Sequence, residues 1–309
     1  METITANTAE VIAPLPSWRE RTGERAGSFG MYLRRNPALA IGLVILILLL
    51  SIGIVGPLFV DTAQAQPGGA SYPELAPSRE YPLGTDYLGR NLFAVVVAGL
   101  PLTLRVGVIA GLVGTVIGII LGFVAGYTGG ATDNVIRTLA DMLLTVPGLM
   151  VLIVLASTIK GSITVDQMAL VVASLAWMWP TRTIRSQVLS MRERAYVQMA
   201  KMSGMKAWEI IFYELMPNLL PYLAASFVGA VGSAVLASVG LEALGLGPQN
   251  APTMGMTIYW AISDNALIRG LWWWWMTPIV LLMLFFVSLM LISTGLDEIA
   301  NPRIRRSTT

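Results

Sequence analysis

Apolar residues fall in long blocks along this chain, and charged residues collect between the blocks. Four runs contain no Asp, Glu, Lys or Arg: residues 36–60, 106–132, 215–241 and 270–296. Each exceeds the roughly 20 apolar residues that a helix needs to cross the hydrocarbon core of a bilayer. Two shorter runs, 142–159 and 167–181, become spans if a turn is added at each end, with Asp141 and Arg182 at the interface. The pattern predicts an all-α membrane protein with six transmembrane helices. It divides the chain into a tail (1–36), a first span (37–60), an outer loop rich in Pro and Gly (61–92), a helical core (93–298) and a second tail (299–309). An inner loop falls at 186–216 and an outer excursion at 245–271, between the fifth and sixth spans.

Orientation follows from Lys and Arg, which favour cytoplasmic segments. With the N-terminus inside, the inner segments hold fifteen of the 20: Arg19, Arg21, Arg25, Arg34, Arg35, Arg137, Arg182, Arg185, Arg192, Arg194, Lys201, Lys206, Arg303, Arg305 and Arg306. The outer segments hold Arg79, Arg90, Lys160 and Arg269, and Arg105 lies near the outer end of the second span. The bias predicts that both termini are cytoplasmic. The first tail is read as cytoplasmic rather than as a signal peptide, whose apolar core starts nearer the terminus.

Inside the spans, Gly114, Gly118, Gly122 and Gly126 recur every fourth residue, as do Ala225, Gly229, Ser233 and Ala237, and Ser226, Ala230, Ala234 and Ser238. Such rows of small residues let helix backbones approach closely, so they predict tight packing. Pro147, Pro180 and Pro278 predict kinks, because proline removes a backbone hydrogen bond. Trp272–Trp275 reads as an aromatic belt at the membrane interface.

Composition narrows the chemistry. Charged residues are 12% of the chain and hydrophobic ones 55%, with mean hydropathy +0.69. That excludes a water-soluble enzyme and a disordered chain. A net charge of +2 without a basic stripe gives no sign of nucleic-acid binding. Cys and His are both absent. Disulfides are impossible, the usual zinc, haem and iron–sulfur ligands are missing, and nucleophiles activated by His are excluded. No catalytic residue, metal site or bound cofactor is expected. No G-x-x-x-x-G-K-[ST] occurs, so the chain has no P-loop with which to hydrolyse ATP. No acid pair or basic ladder lies at mid-depth, which argues against an ion-coupled carrier.

The inner loop carries the most local detail. Residues 193–204 read as a helix stopped by Gly204, which suits a left-handed position after a helix. A second helix follows, with Trp208, Ile211, Phe212 and Leu215 on one apolar stripe, and Pro217 opens the fifth span. Arg137 and Asp141 stand four apart on one helix and can pair. Thr85 or Asp86 can cap a short helix in the outer loop.

This inner loop resembles the signature loop of ABC importer permeases, Glu-Ala-Ala, three residues, Gly, nine residues, Ile-x-Leu-Pro. The register here is Gln198-Met199-Ala200, Gly204 and Glu214-Leu215-Met216-Pro217. The Gly and Pro spacing is kept, whereas Gln198, Met199, Glu214 and Met216 depart from the pattern. The segment Tyr81 to Arg90, with Gly84, Asp86 and Arg90, is similar to the His-Pro-Leu-Gly-Thr-Asp-x-x-Gly-Arg segment of dipeptide/oligopeptide/nickel permeases. Gly129, Gly130, Asp133, Arg137, Asp141 and Pro147 match the spacing of a second segment of that family. Residues 238–247 and 295–303 resemble two more, and the aggregate best fits the C-type permease of the pair.

The resemblance implies a permease core at 93–298, with a coupling loop at 190–218 between the fourth and fifth spans. Tyr196, Gln198, Met199, Ala200, Gly204, Met205 and Pro217 would meet an ATP-binding subunit. It implies as partners a second permease, two ATP-binding subunits or domains that bind the ATP, an extracytoplasmic solute-binding protein and membrane lipid, in the inner membrane of a prokaryote. Glu242, Asn250 and Asp264 are candidates for the passage or its gate. Peptide is the substrate expected from the family. Oligosaccharide in the same architecture is the alternative, followed by a secondary transporter or channel. A membrane-embedded enzyme would need convergent acids or a nucleophile–base pair, and neither is evident.

Overall fold

The computed structural model describes residue 33, residues 36–69 and residues 72–300. Apart from their edges, the expected tails at 1–36 and 299–309 lie outside the described residues. Among the described residues the chain is helical, with one isolated bridge between Thr85 and Asn91 and no strand. The helices are α1 (Pro37–Val55), α2 (Leu92–Thr128), α3 (Gly130–Thr145), α4 (Gly148–Ser157), α5 (Val165–Ala176), α6 (Met178–Arg192), α7 (Ala195–Met202), α8 (Ala207–Glu209), α9 (Met216–Ala243), α10 (Met254–Ser263) and α11 (Trp272–Ala300). Among the described residues, four helical stretches are long and apolar enough to cross a membrane: Pro37–Leu58, Leu92–Thr128, Ala207–Ala243 and Trp272–Glu298. Helices α3 and α4 pass together as a fifth, bent by 83°. The molecule is therefore an all-α membrane protein.

Several elements differ from the sequence pattern. The second span starts at Leu92 rather than 106, because Asn91 caps it by accepting the Phe93 N–H at 3.0 Å and Arg105 is carried within the helix. The third is broken at Val146–Pro147, where the proline begins a new helix at a new angle. The fifth starts at Ala207 and passes through a π-helical turn, Ile210–Leu215, into α9. Pro217 and Pro221 lack the N–H groups that α-helical pairing would need there. Asn218 Nδ2 donates to the Glu214 carbonyl at 2.6 Å across this irregular turn. The extra residue per turn also moves the apolar stripe. Ile210 and Leu215 are fully buried, while Trp208 and Phe212 are exposed.

Helix directions follow from the contacts. Asn36 caps α1 through the Leu39 N–H, and its Nδ2 donates to Glu298 Oε2 at 2.9 Å, so α1 and α11 run antiparallel. Gly53 and Gly56 of the α1 region meet Pro101 and Val97, so α2 runs back against α1. Gly107 and Gly111 meet Val235 and Val231, which makes α9 antiparallel to α2. The start of α1 and the ends of α2, α6 and α11 therefore share one end of the bundle with the α7–α8 elbow. The loops at 56–91, 158–164 and 244–271 share the other. The main core joins α2, α9, α10 and α11 through Leu100, Val231, Val235, Met254 and Phe285.

The glycine row behaves as expected. Added Cβ atoms at Gly114, Gly118, Gly122 and Gly126 would lie 2.5, 2.5, 3.0 and 2.8 Å from the Cβ atoms of Ala176, Pro180, Ile184 and Val188. Both rows advance by four, so α2 and α6 run parallel in close backbone contact. The outer Trp run differs from a simple belt. Trp274 is fully buried and stacks on Tyr87 at 5.3 Å, and Trp273 Nε1 donates to the Thr85 carbonyl at 3.2 Å, while Trp272 is exposed. The outer loop folds onto this surface and forms no helix at Thr85 or Asp86. Asp86 Oδ1 instead accepts the Leu88 and Arg90 N–H groups at 3.0 and 2.9 Å.

Gly118→Leu drives a side chain into the Pro180 ring and the Thr181 backbone, and overpacking of this kind costs about 1–3 kcal/mol. The expected result is a lower melting temperature and yield in detergent. At Gly229 an added Cβ meets nothing within 4 Å, so Gly229→Leu is expected to leave the melt nearly unchanged. Equal losses would show that the row between α2 and α6 is not the constraint.

Candidate functional site

Three features could carry function: the elbow between α6 and α9, a groove along α9, and the joint where α9 meets α10. The elbow is built by its turn. Gly204 has φ of +80°, its N–H donates to the Lys201 carbonyl at 3.1 Å, and the Met205 N–H donates to the Ala200 carbonyl at 3.2 Å. That is a Schellman stop, which needs a left-handed residue and so favours glycine. The Lys206 N–H then donates to Glu209 Oε2 at 2.7 Å, fixing the start of α8. Val197 and Ala200 are buried against the bundle, whereas Met199 and Met202 are 58% and 80% exposed. Gln198 Nε2 donates to the Arg192 carbonyl at 3.2 Å. Tyr196 is partly buried, and this burial pushes its phenol above the ordinary range, opposed by the nearby Arg194 charge. The elbow is thus pinned by one face and presents the other. Of the seven residues expected at the coupling surface, Met199, Gly204 and Pro217 are exposed, Tyr196, Gln198 and Met205 are half-buried, and Ala200 is buried; Gly204, Met205 and Pro217 shape the turn and the helix start.

The three polar residues after α2 do not pair as spacing suggested. Asp133 pairs with Arg185 of α6, the Nη2 atom donating to Oδ2 at 2.6 Å. Asp141 pairs with Arg182 at 3.5 Å, and Arg137 stays exposed. The cross-helix partner wins because α3 folds back beside α6. Arg192 Nη1 donates to the carbonyls of Gly126 and Tyr127 at 3.2 and 3.3 Å, closing the end of α2. Charge counting did not distinguish this arginine from its neighbours.

The groove has a volume of ≈ 800 Å³. Its floor is α9, where Ser226, Gly229, Ser233 and Ala237 keep the surface low; its walls include Leu149 and Leu152 of α4 and Leu175 and Trp179 of the α5–α6 segment. The α9 row expected to pack thus faces open space over much of its length. Ser293 and Asp297 of α11 also contribute. This lining is mostly apolar with scattered hydroxyls. It suits a passage or a second helical surface and holds no nucleophile–base pair.

At the joint, Glu242 is fully buried at the end of α9. Its Oε2 accepts the Thr253 hydroxyl at 2.6 Å and the Met256 N–H at 3.1 Å. Thr103 of α2 accepts the Met254 N–H at 2.9 Å. Two other helices therefore cap α10, and Gly247 and Gly255 leave room for the Glu242 side chain. Of the other two gate candidates, Asn250 is exposed, with Nδ2 3.5 Å from Ser162 Oγ. Asp264 pairs with Arg269, which also reaches Glu74 Oε2 at 2.5 Å. Those acids, Glu74 foremost, hold the Arg269 guanidinium above its ordinary value. Glu242, Asn250 and Asp264 occupy three different settings and form no single cluster. The roles of Thr103 and of the Arg269–Glu74 pair were not legible in the sequence because each joins partners distant in the chain.

Residues 118–306 match the family described as binding-protein-dependent transport system inner membrane component. The chain is 31% identical to the dipeptide transport system permease protein DppC of Bacillus subtilis, covering 89% of this chain and 84% of the relative. It is 30% identical to a protein of the same name from Alkalihalophilus pseudofirmus, covering 70% of each. It is 27% identical to the oligopeptide transport system permease protein OppC of Bacillus subtilis, covering 69% of each.

Glu242→Ala leaves the Thr253 hydroxyl and Met256 N–H buried without this acceptor, at about 1–3 kcal/mol for an unsatisfied group. The expected result is a lower melting temperature in detergent and faster hydrogen exchange at the start of α10. Glu242→Gln keeps an acceptor oxygen and is expected to lose less. Equal loss in both variants would show that charge, rather than the acceptor, holds the joint.

Proposed function

The chain belongs to the binding-protein-dependent transport system inner membrane components, and from that premise we propose that it is the membrane subunit of an ATP-driven importer for peptides. The observation that carries the mechanism is the elbow: a helix stopped at Gly204, fixed by one face and exposed on the other, followed by a second arm that runs from Ala207 without a break into the helix that floors the groove. In this reading Met199, Gln198 and Met205 belong to the surface that docks on an ATP-binding subunit. Closure of two such subunits on ATP moves the elbow and, through α9, the groove. The chain itself binds no ATP and has no catalytic role. A second permease covers the groove, so that the two subunits enclose the passage, and a solute-binding protein delivers cargo at the opposite end.

The topology proposed is six spans, with α5 and α6 joined as the fourth and both termini cytoplasmic. Trp177, between α5 and α6, keeps a helical conformation, which supports a single span there. The elbow end carries Arg192, Arg194, Lys201 and Lys206, and such basic residues favour the cytoplasmic side. Peptide is taken as the cargo because relatives matched over more than two thirds of their length carry dipeptide and oligopeptide permease names.

Two measurements check this reading. The chain contains no cysteine, so Ser203→Cys and Thr62→Cys report sidedness directly. In intact cells an impermeant maleimide is expected to label Thr62→Cys and spare Ser203→Cys; the reverse pattern would invert the topology.

Gly204→Val tests coupling. An added Cβ has space at Gly204, yet the left-handed backbone costs a non-glycine residue about 1–2 kcal/mol. The assembled complex is expected to persist while ATPase stimulation by the loaded binding protein falls several-fold. Unchanged stimulation would make the elbow a passive connector.

A further inference from the structure

A second cavity, of ≈ 300 Å³, lies between the outer loop and the segment leading into α10. That volume is at the lower end of the range for small-molecule pockets. Arg90 forms part of its wall and is only 5% exposed. Its Nε–H is donated to Asp86 Oδ2 at 2.5 Å, and its Nη2 has no hydrogen-bond partner among the described residues. A guanidinium carries five N–H donors in a planar fork, and leaving a buried donor unmet is unfavourable. Asp86 is fully buried beside it, so the pair is electrically balanced. An incoming anion would add uncompensated charge, whereas a neutral carbonyl oxygen would meet the donor without doing so.

The facing residues have the complementary chemistry. Gln249 Nε2 is already donated to the Gly245 carbonyl at 2.8 Å, and Asn250 Nδ2 lies 3.5 Å from Ser162 Oγ. Their amide oxygens therefore supply acceptors. Trp260 and Pro252 add apolar wall. One unmet guanidinium donor, two amide acceptors and an apolar side match a peptide backbone, which presents carbonyl and N–H groups together.

We propose that this cavity is a peptide-backbone subsite at the outer mouth, in which Arg90 receives a carbonyl oxygen and Gln249 and Asn250 accept N–H groups of a short peptide. The assignment rests on the importer reading for its ligand, cargo released from the binding protein.

The test uses the full-length chain in nanodiscs with its second permease. Ala251, which lines the cavity, is replaced as Ala251→Cys, and its maleimide labelling rate is measured. The probes are the blocked dipeptide N-acetyl-Ala-Ala-amide, sodium acetate, and the binding protein without cargo. The blocked dipeptide alone is expected to slow labelling several-fold, while the exposed control Ser263→Cys is unaffected. Adding Arg90→Lys keeps the charge opposite Asp86 but removes the fork, and is expected to abolish most of the protection. If Arg90→Lys does not assemble, Gln249→Ala on the exposed rim carries the same expectation.

Absence of protection by the dipeptide overturns the proposal. So does equal protection by acetate, which would mean an anion site, or protection by the empty binding protein, which would mean a docking pocket. Uptake of labelled dipeptide into proteoliposomes with the binding protein and ATPase subunits separates the two claims. Uptake without protection removes this subsite and leaves the importer. Absence of uptake removes the importer reading, whatever the cysteine reports.

Discussion

A helix that ends inside a membrane protein leaves backbone N–H or carbonyl groups that lipid cannot satisfy, so another part of the chain must meet them. Much of this architecture depends on that constraint. Arg192 of α6 donates to the last carbonyls of α2. Glu242 of α9 and Thr103 of α2 accept the first N–H groups of α10. Asn36 caps α1 and reaches Glu298. Arg192, Glu242 and Thr103 belong to elements that run beside the helix they complete or close to its end, and Asn36, the cap of α1 itself, ties that helix to α11. The same bonds that make short or broken helices tolerable also fix which helices are neighbours.

Close packing then divides the bundle into a sealed side and an open one. Along α2 the glycine row brings α6 near enough that added Cβ atoms would collide. Along α9 a similar row of small residues meets no such partner at Gly229 and borders the groove. Spacing of four describes both rows equally well. What separates them is whether a second row of matching period lies opposite, as Ala176, Pro180, Ile184 and Val188 do for α2. A ridge with a complement becomes a joint. A ridge without one leaves a smooth concave wall, which is why the groove follows α9.

This difference explains what was legible in the sequence. The charge-free runs located the long helices because burial in lipid acts on every residue of a span. The Gly204 turn was legible because a left-handed stop is a local requirement met by one residue type. The π turn was hidden: two prolines signal missing donors, but only the three-dimensional path shows that the helix absorbs them by widening instead of ending. The salt bridges were hidden for another reason. Arg137 and Asp141 share a helix face, yet the 83° break after α3 and the return of the chain along α6 put Arg182 and Arg185 within reach of the acids. Glu242 follows the fifth charge-free run directly, and the sequence offered it as a candidate for the passage or its gate. The nine residues between α9's last turn and Thr253 fold back over it, and the carboxylate becomes a cap.

Continuity along α9 ties these pieces to the proposed importer. From Ala207 to Ala243 the chain is helical throughout. At about 1.5 Å per residue that path approaches 55 Å, enough to cross a bilayer. One end is the elbow and the other is Glu242, which holds α10. Beyond α10, Arg269 clasps Asp264 and Glu74, so the outer loop is fastened to the same segment. A displacement of the elbow is therefore not confined to a surface loop. It acts on a helix whose middle floors the groove and whose far end carries the outer closure. In the proposed mechanism the π turn is the point of entry for this load, in a stretch whose hydrogen bonding already departs from the α pattern, so bending there disturbs fewer regular bonds than bending lower in α9. Close packing along α2 and α6 supplies the opposite requirement of the proposed mechanism, a fixed wall for the moving helix.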